Sequence, residues 1–250
     1  MKEKIKQLTN TKQFHICMVF TIIVIILFIA GVISLKYNVE GENTPPFNIS
    51  KISIISGTDG TDIEGAQEKW NLEVSQNNDI YVYIKKNEKY KYTETISNIT
   101  LNNFNIIQAP KIGNLKLIKP DANVESVIFK NSAENETDSI IYNGDMDSSI
   151  KEMKISNQGG LVVFRYAIKN IGNYISNDDE QINHNELLKK LSVNNEDLKF
   201  KVSFDVNIYL NSNKNYKTTI TLDLPIGNVV EDGIQSQENI DLKNVVFKRM

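Results

Sequence analysis

Cysteine and histidine are scarce in this sequence. Its 250 residues include one cysteine, Cys17, and two histidines, His15 and His184. His15 and Cys17 stand two positions apart at the start of an apolar stretch, and residues at that spacing do not face each other on a helix. The rest of the chain therefore has no disulfide and no cysteine nucleophile, and it lacks the several histidine or cysteine ligands that zinc requires. No metal ligand and no cofactor site is predicted.

The motifs of common enzymes are also missing. The sequence has no Gly-x-Ser-x-Gly element and no glycine-rich phosphate loop. A serine triad would need His184 as its base, and we place this residue in the first turn of a short helix. A hydrolase that uses two carboxylates stays open as an alternative, because the chain has 31 acidic residues whose arrangement in space the sequence does not show. The sequence predicts a protein that is not an enzyme, and it assigns no catalytic residue.

A concentration of positive charge, which nucleic-acid binding requires, is absent from most of the chain. The formal net charge is −3. The first 13 residues contribute +3, from four lysines and one glutamate, so the remainder carries −6. A nucleic acid is therefore not an expected partner.

One long hydrophobic run is present. From Phe14 to Leu35 the sequence has 22 residues without a charged side chain. A helix of this length spans about 33 Å, enough for a hydrocarbon core of about 30 Å, and it exceeds the apolar core of a cleaved signal peptide, about 7–15 residues. The lysines precede the run, so the N-terminus is predicted to be cytoplasmic. We therefore expect a cytoplasmic stub over residues 1–13, a transmembrane helix over 14–35 and a single-pass protein of the cell membrane; a cleaved signal peptide is the alternative.

Residues 36–47 are interpreted as a stalk and residues 48–250 as an extracytoplasmic domain. Twelve extended residues reach at most about 40 Å, so the domain is held near the bilayer and is expected to bind a protein partner in or near the membrane. The absence of disulfides and the frequent use of Asn, Ile and Lys are typical of a cell-envelope protein from a low-GC Gram-positive bacterium.

The predicted domain is dominated by strands. In "LKFKVSFDVNIYL" apolar and polar residues alternate from Leu198 to Leu210, and after the turn "NSNKN" the alternation resumes from Tyr216 to Leu224. This pattern predicts a long hairpin with one face on a core and one in water. The segment "LVVFRYAIKN" is apolar on both faces and predicts a central strand, whereas "QNND" (76–79) predicts a tight turn between two shorter strands.

One short helix is predicted in "NHNELLKKLS", with Asn183 as its cap and Leu187, Leu188 and Leu191 as its apolar face. Many short strands with almost no helix predict an all-β sandwich of immunoglobulin-like architecture, without implying immunoglobulin topology. The alternative is two β domains divided near residues 131–138.

Several residues are candidates for binding. Trp70 alternates with Leu72 and Val74 and is interpreted as a core residue. Four tyrosines are compatible with a sugar-binding face, although amphipathic strand residues are the preferred interpretation: Tyr81, Tyr83, Tyr90 and Tyr92. Two stretches resemble calcium loops, "SGTDGTDIEG" (56–65) and "NGDMDSS" (143–149), but neither has the ligand spacing of an EF-hand. "NDDEQ" (177–181) is interpreted as a solvated loop.

Together these features predict a membrane-anchored extracytoplasmic binding or scaffolding module of the cell envelope. No small-molecule substrate is identified. Two alternatives remain: a wall-active glycan hydrolase that uses a carboxylate pair, and a sensor that binds a glycan or calcium.

Overall fold

The computed structural model describes residues 12–37, 44–63, 69–121, 129, 133–144, 153–177, 180–238, 242 and 245–250. The α-helices are α1 (Lys12–Leu35), α2 (Leu187–Lys190), α3 (Asn195–Leu198) and α4 (Val229–Asp232). The strands are β1 (Phe47–Asp62), β2 (Asn71–Lys86), β3 (Ile96–Gln108), β4 (Asn114–Ile118), β5 (Ile140–Asn143), β6 (Gly159–Ile175), β7 (Phe200–Leu210), β8 (Asn215–Leu224), β9 (Gln235–Glu238) and β10 (Lys248–Arg249). Short 3-10 helices cover Ala133–Asn135 and His184–Glu186.

Helix α1 contains the apolar run that the sequence indicates. Its segment Phe14–Leu35 has a mean hydropathy of 3.3 and none of it is buried against the rest of the chain. The Thr21 hydroxyl donates to the Cys17 carbonyl at 2.9 Å, so this polar group is satisfied within the helix. The segment is long and apolar enough to cross a membrane, a test that a signal sequence also passes. The lysines at positions 2, 4 and 6 lie outside the described residues.

The strands form two five-stranded sheets. The first sheet has the order β4-β6-β2-β1-β9, and the second has the order β10-β8-β7-β3-β5. Every pairing between these strands is antiparallel. The two sheets share one core, in which the ring of Phe164 in the first sheet lies 5.0 Å from the ring of Phe204 in the second. This confirms a mostly β, sandwich-like fold with few helices.

Strands from both sides of residues 131–138 pair with each other. In the first sheet β2 pairs with β6, and in the second sheet β3 pairs with β5 and β7. Within this segment, Glu136 forms an isolated bridge with Ile118 at the end of β4. Residues 131–132 lie outside the described residues.

The long hairpin is confirmed as β7 and β8, with Phe204 opposite Ile220 and both side chains buried. The prediction that its other face lies in water is wrong at the centre of β7, where Asp205 and Asn207 are buried. The reason is that β7 is an interior strand with polar neighbours on both sides. Asn207 Nδ2 donates to Asn102 Oδ1 on β3 at 2.8 Å, and Asp205 accepts from Thr219 on β8.

Strand β6 is central, as its sequence predicts, between β4 and β2. Phe164 and Tyr166 are buried on one face and Val163 and Ala167 on the other. Because β4 pairs with β6 only from Arg165 onward, the backbone of Val163 is open on that side. The Tyr142 hydroxyl fills this gap, donating to the Val163 carbonyl at 2.6 Å and accepting from its N–H at 2.9 Å.

The predicted turn at "QNND" is wrong, because β2 runs through it without interruption. Gln76 and Asn78 are fully buried and satisfy each other's amide groups inside the sandwich. Ser56 on β1 donates to Asn78 Oδ1 at 2.7 Å and accepts from the backbone N–H of Ile226 at 3.1 Å. Polar side chains therefore remain within a strand here because the hydrogen bonds that water would supply come from neighbouring protein groups.

The predicted helix exists as the 3-10 turn His184–Glu186 followed by α2. Asn183 caps it, accepting from the N–H of Asn185 at 3.2 Å and donating to Glu186 Oε1 at 2.9 Å. Leu187 and Leu188 are buried, as predicted. The expectation of a single short helix is wrong, since α3 and α4 are also present. Both begin at an asparagine cap within a connection between strands.

Candidate functional site

A cavity of about 650 Å³ lies where β1 ends and β2 begins. We call it the end cleft. It is lined by Gly60, Asp62, Trp70, Leu72, Glu180, Gln181, Ile182 and His184. The last strand pair of β1 and β2, Asp62 with Leu72, forms one wall, and residues 180–184 form the other.

Helix α2 can approach the first sheet because residue 60 is a glycine. A Cβ atom at Gly60 would lie 2.7 Å from Leu187 Cδ1 and 3.2 Å from Leu72 Cδ1, closer than carbon atoms normally approach. The missing side chain thus brings the segment before α2 against β1. This contact places His184 and residues 180–182 over the end of the strand pair.

Trp70 lies at the mouth of the end cleft, and its interpretation as a core residue is wrong. Leu72 and Val74 are buried as predicted, whereas Trp70 is 42% exposed. Trp70 immediately precedes Asn71, the first residue of β2, and so stands outside the paired part of the sheet. Its backbone is nevertheless fixed: Trp70 N–H donates to Ser176 Oγ, and Ser176 N–H donates to the Trp70 carbonyl, each at 2.9 Å.

His184 is linked to β1. Its Nδ1 lies 3.0 Å from Asp59 Oδ1 and 3.1 Å from the backbone nitrogen of Gly60. Both side chains of the pair are nearly half exposed, 46% for His184 and 43% for Asp59. No serine hydroxyl in the described ranges hydrogen-bonds to this imidazole. We therefore retain, as a prediction, that His184 is not a catalytic base.

Glu180 is the most strongly held carboxylate of the end cleft. It accepts hydrogen bonds from Tyr174 Oη at 2.8 and 2.9 Å, from the N–H of Asn177 at 3.0 Å, and from Lys190 Nζ. The hydrogen bond from Lys190, with those from Asn177 and Tyr174, lowers the pKa of Glu180 to about 2. The described part of "NDDEQ" is therefore an ordered wall of the end cleft, whereas residues 178–179 lie outside the described residues.

The described residues of the two calcium-like stretches do not form a cluster of calcium ligands. Among the described residues, no group of three or more His, Cys, Asp or Glu side chains is placed to hold a metal ion. Residues 56–62 of the first calcium-like stretch belong to β1, where Asp59 and Asp62, three positions apart, lie on opposite faces of the strand. In the second stretch, residues 145–149 lie outside the described residues.

The four tyrosines fall into two pairs. Tyr81 and Tyr83 are half-buried on β2, where Lys51 Nζ lies 5.3 Å from the Tyr83 ring. Tyr90 and Tyr92 lie in the connection after β2, with ring centroids 5.8 Å apart. Lys214 donates to Tyr90 Oη at 3.1 Å and to Glu94 at 2.6 Å, so the second pair belongs to a polar network beside the β7–β8 turn.

A second cavity, the edge cleft, lies between β3 and β4 and has a volume of about 340 Å³. Its lining combines apolar residues, among them Phe104, Leu117 and Tyr166, with polar ones such as Thr137 and Asp138. Glu136 on its rim accepts from Lys116 at 2.9 Å and from Lys169 at 3.0 Å. These hydrogen bonds, led by that from Lys116, lower the pKa of Glu136. The sequence gives no signal for this cleft, because the residues on its rim lie in the proposed boundary segment.

The end cleft unites residues from four separate sequence motifs: Trp70, His184, the calcium-like stretch in β1 and "NDDEQ". More than 100 positions separate Trp70 from Glu180, so no local pattern relates them. Ile182 carries no signal of its own in the sequence. Comparisons of the chain with protein-family models, with curated proteins and with solved structures gave no match.

Proposed function

We propose that this protein is a membrane-anchored binding module of the cell envelope, with α1 in the bilayer and the two-sheet domain on the extracytoplasmic side. The exposure of α1 is the observation that carries the proposal. None of its 22-residue apolar segment is buried by the rest of the chain. A helix that is apolar on all sides requires an apolar environment, and lipid supplies one when the protein core does not.

The orientation rests on charge. Four lysines and Glu3 precede the apolar segment Phe14–Leu35, whereas Lys36, Glu40 and Glu42 follow it closely. An excess of lysine on one side of a span favours the cytoplasm for that side. The two-sheet domain then lies outside. Because it has no cysteine, its fold must be stable without disulfides. The shared core of the two sheets meets that condition.

Binding is favoured over hydrolysis by the state of Glu180. A glycosidase acid needs a raised pKa so that it carries a proton near neutral pH. The pKa of Glu180 is instead lowered to about 2, with Lys190 as the first cause. This carboxylate therefore does not fit the role of a general acid. The aromatic and polar lining of the end cleft supports a binding role.

Topology tests the proposal. A reporter that is active only outside the cytoplasm, fused after Met250, should be active in intact cells. Protease added to cells stripped of their wall should then remove the domain from α1. Activity of a cytoplasmic reporter at the same position would overturn the proposal.

A matched pair of variants tests the anchor itself. Ile25→Arg places a charge near the centre of α1, which costs about 2.5–3.5 kcal/mol of insertion free energy, whereas Ile25→Val keeps the helix apolar. The arginine variant should be released from membranes by alkaline carbonate more readily than the valine variant. Recovery of the unmodified protein as a soluble form that lacks residues 1–35 would show a cleaved signal and remove the anchor from the proposal.

A binding role is tested by a photo-crosslinking amino acid in the living cell. At Gln181, in the end cleft, it should yield a defined adduct in the envelope fraction. At exposed Lys89, in the connection after β2, the same probe should yield none. Equal labelling at both positions would contradict a binding role for the end cleft.

A further inference from the structure

The end cleft lies far along β1 from the connection to α1. The strand begins at Phe47 and ends at Asp62, and sixteen residues of strand extend about 50 Å. The near end is fixed by Asn87, whose N–H donates to the Pro46 carbonyl and whose Nδ2 donates to the Pro45 carbonyl, each at 2.8 Å. A ligand of the end cleft therefore binds at the opposite end of the first sheet from the point where the chain arrives from the helix.

One wall of the end cleft is a rigid aromatic face. Two hydrogen bonds between Trp70 and Ser176 fix the backbone on which the indole is carried. The indole is 42% exposed although an apolar neighbour, Leu72, is buried beside it. An exposed indole in a cavity offers a flat, electron-rich apolar surface. The axial C–H groups of a pyranose ring form a surface of matching shape and polarity.

The opposite wall is polar. Glu180 is an ionised acceptor whose position is fixed by Tyr174, Asn177 and Lys190. Gln181 supplies an amide that both donates and accepts, and the His184 imidazole lies beside it in the same lining. Such a mixture of donors and acceptors suits hydroxyl groups, each of which also donates and accepts. The volume of about 650 Å³ is in the range of small-molecule sites.

We infer that the end cleft binds a pyranose residue of an uncharged glycan, with the sugar ring stacked on Trp70 and its hydroxyl groups hydrogen-bonded to Gln181. The Glu180 carboxylate beside it already accepts from Tyr174, Asn177 and Lys190 and holds this wall in place. This inference rests on the proposed binding function and names its ligand class. The described lining of the end cleft has no lysine or arginine to pair with an anionic ligand such as a phosphate or an acidic sugar. A lipid tail or an apolar peptide would leave the polar wall without partners.

The protein carries its own reporter, because Trp70 is the single tryptophan of the chain. The full-length protein in detergent micelles is titrated with three neutral tetrasaccharides: β-1,4-linked N-acetylglucosamine, cellotetraose and maltotetraose. A sugar on the indole should shift the emission to shorter wavelength in a saturable manner and protect it from acrylamide quenching. A flat response to all three sugars overturns the inference.

Variants locate the effect. Binding of the active sugar, measured by calorimetry, should weaken by at least about tenfold in Trp70→Ala and measurably in Gln181→Ala. Tyr92→Ala is the matched control, since Tyr92 is an aromatic residue that is 71% exposed outside the end cleft, and its affinity should equal that of the wild type. Circular dichroism confirms that each variant is folded. Unchanged affinity in a folded Trp70→Ala variant would place the sugar elsewhere and overturn the inference.

A cationic ligand is the competing outcome, because an indole beside carboxylates also attracts an ammonium group. Titration with tetramethylammonium and with a lysine peptide distinguishes the two. A response to either cation without a response to the sugars overturns the inference. The sugar titration and the topology test have separate outcomes. If the protein is anchored and faces outward but binds no sugar, only the ligand inference fails. If the protein binds a sugar but its domain lies in the cytoplasm, only the proposed function fails.

Discussion

Gln76 and Asn78 form a reciprocal amide pair inside the sandwich. Gln76 Nε2 donates to Asn78 Oδ1 at 3.1 Å, and Asn78 Nδ2 donates to Gln76 Oε1 at 2.8 Å. Both side chains are fully buried, and Asn78 also donates to the Tyr166 carbonyl on the neighbouring strand. The contacts of Asn78 with Ser56 on β1 and Tyr166 on β6 fix the register of these strands, because a slip by one residue would remove them.

The network predicts a large cost for removing Asn78. Asn78→Ala leaves Gln76 and Ser56 without their buried partner, and we expect a loss of about 2–4 kcal/mol in the free energy of unfolding. Chemical denaturation followed by circular dichroism measures it. Asn173→Ala is the control, because Asn173 is an exposed residue near the end of β6, and it should change stability by less than about 0.5 kcal/mol. Equal losses in the two variants would show that the buried amides contribute nothing special to the fold.

Strand β7 allows a comparison of its two faces. Phe204→Ala should lower the free energy of unfolding by about 3–5 kcal/mol, because its ring is buried against Phe164 and Phe104. On the other face, Lys201→Ala should cost less than about 0.5 kcal/mol. Asn207→Ala should cost about 1–3 kcal/mol, since it leaves Asn102 without its partner. The same denaturation experiment measures all three, and a neutral Asn207→Ala would contradict the buried polar contact.

Much of the fold could be predicted because alternation is a local signal. The period of two in β7 and β8, and the two apolar faces of β6, correspond directly to the observed strands. The failure at residues 76–79 has a physical cause. Asn and Asp favour turns when water satisfies them, and a sequence does not show that Ser56, Tyr166 and Arg165 supply those hydrogen bonds instead.

The end cleft could not be predicted for a related reason. Trp70 follows the inward alternation of Leu72, but the paired strand begins only at Asn71, and Trp70 remains exposed. The contact between Gly60 and Leu187 joins positions far apart in sequence, so the placement of His184 beside β1 has no local signature. Asn183 is different: its cap follows from the spacing to Glu186 alone, and the structure confirms it.

Two neighbouring residues at the start of the short helix are expected to differ in their effect on stability, Asn183 as the cap and His184 as a residue of the end cleft. Asn183→Ala removes the cap and should lower the free energy of unfolding by about 1 kcal/mol. His184→Ala removes an exposed contact with Asp59 and should change stability by less than about 1 kcal/mol. Thermal unfolding of both variants measures the difference. A folded His184→Ala protein with the cellular phenotype of a full deletion would contradict the prediction that this imidazole is not a catalytic base.

Acid should loosen the wall of the end cleft. The hydrogen bond from Lys190, aided by Asn177 and Tyr174, lowers the pKa of Glu180 to about 2, whereas an unfolded glutamate titrates near 4.3. A group whose folded pKa is depressed stabilises the fold above its unfolded pKa, and this contribution is lost as the pH falls through the folded value. The contribution of Glu180 is therefore complete above about pH 5 and declines between about pH 4.3 and 2.

The measurement compares the wild type with Glu180→Gln, which retains the shape of the side chain but cannot ionise. The difference in unfolding temperature between the two proteins should be largest near pH 6 and should shrink steadily as the pH is lowered to about 2.5. Glu88→Gln, at an exposed surface pair with Lys85, is the control and should follow the wild type at each pH. A difference between wild type and Glu180→Gln that stays constant over this range would mean that the Lys190 contact does not hold the carboxylate ionised. The fixed carboxylate that holds the polar wall of the end cleft in place would then be absent.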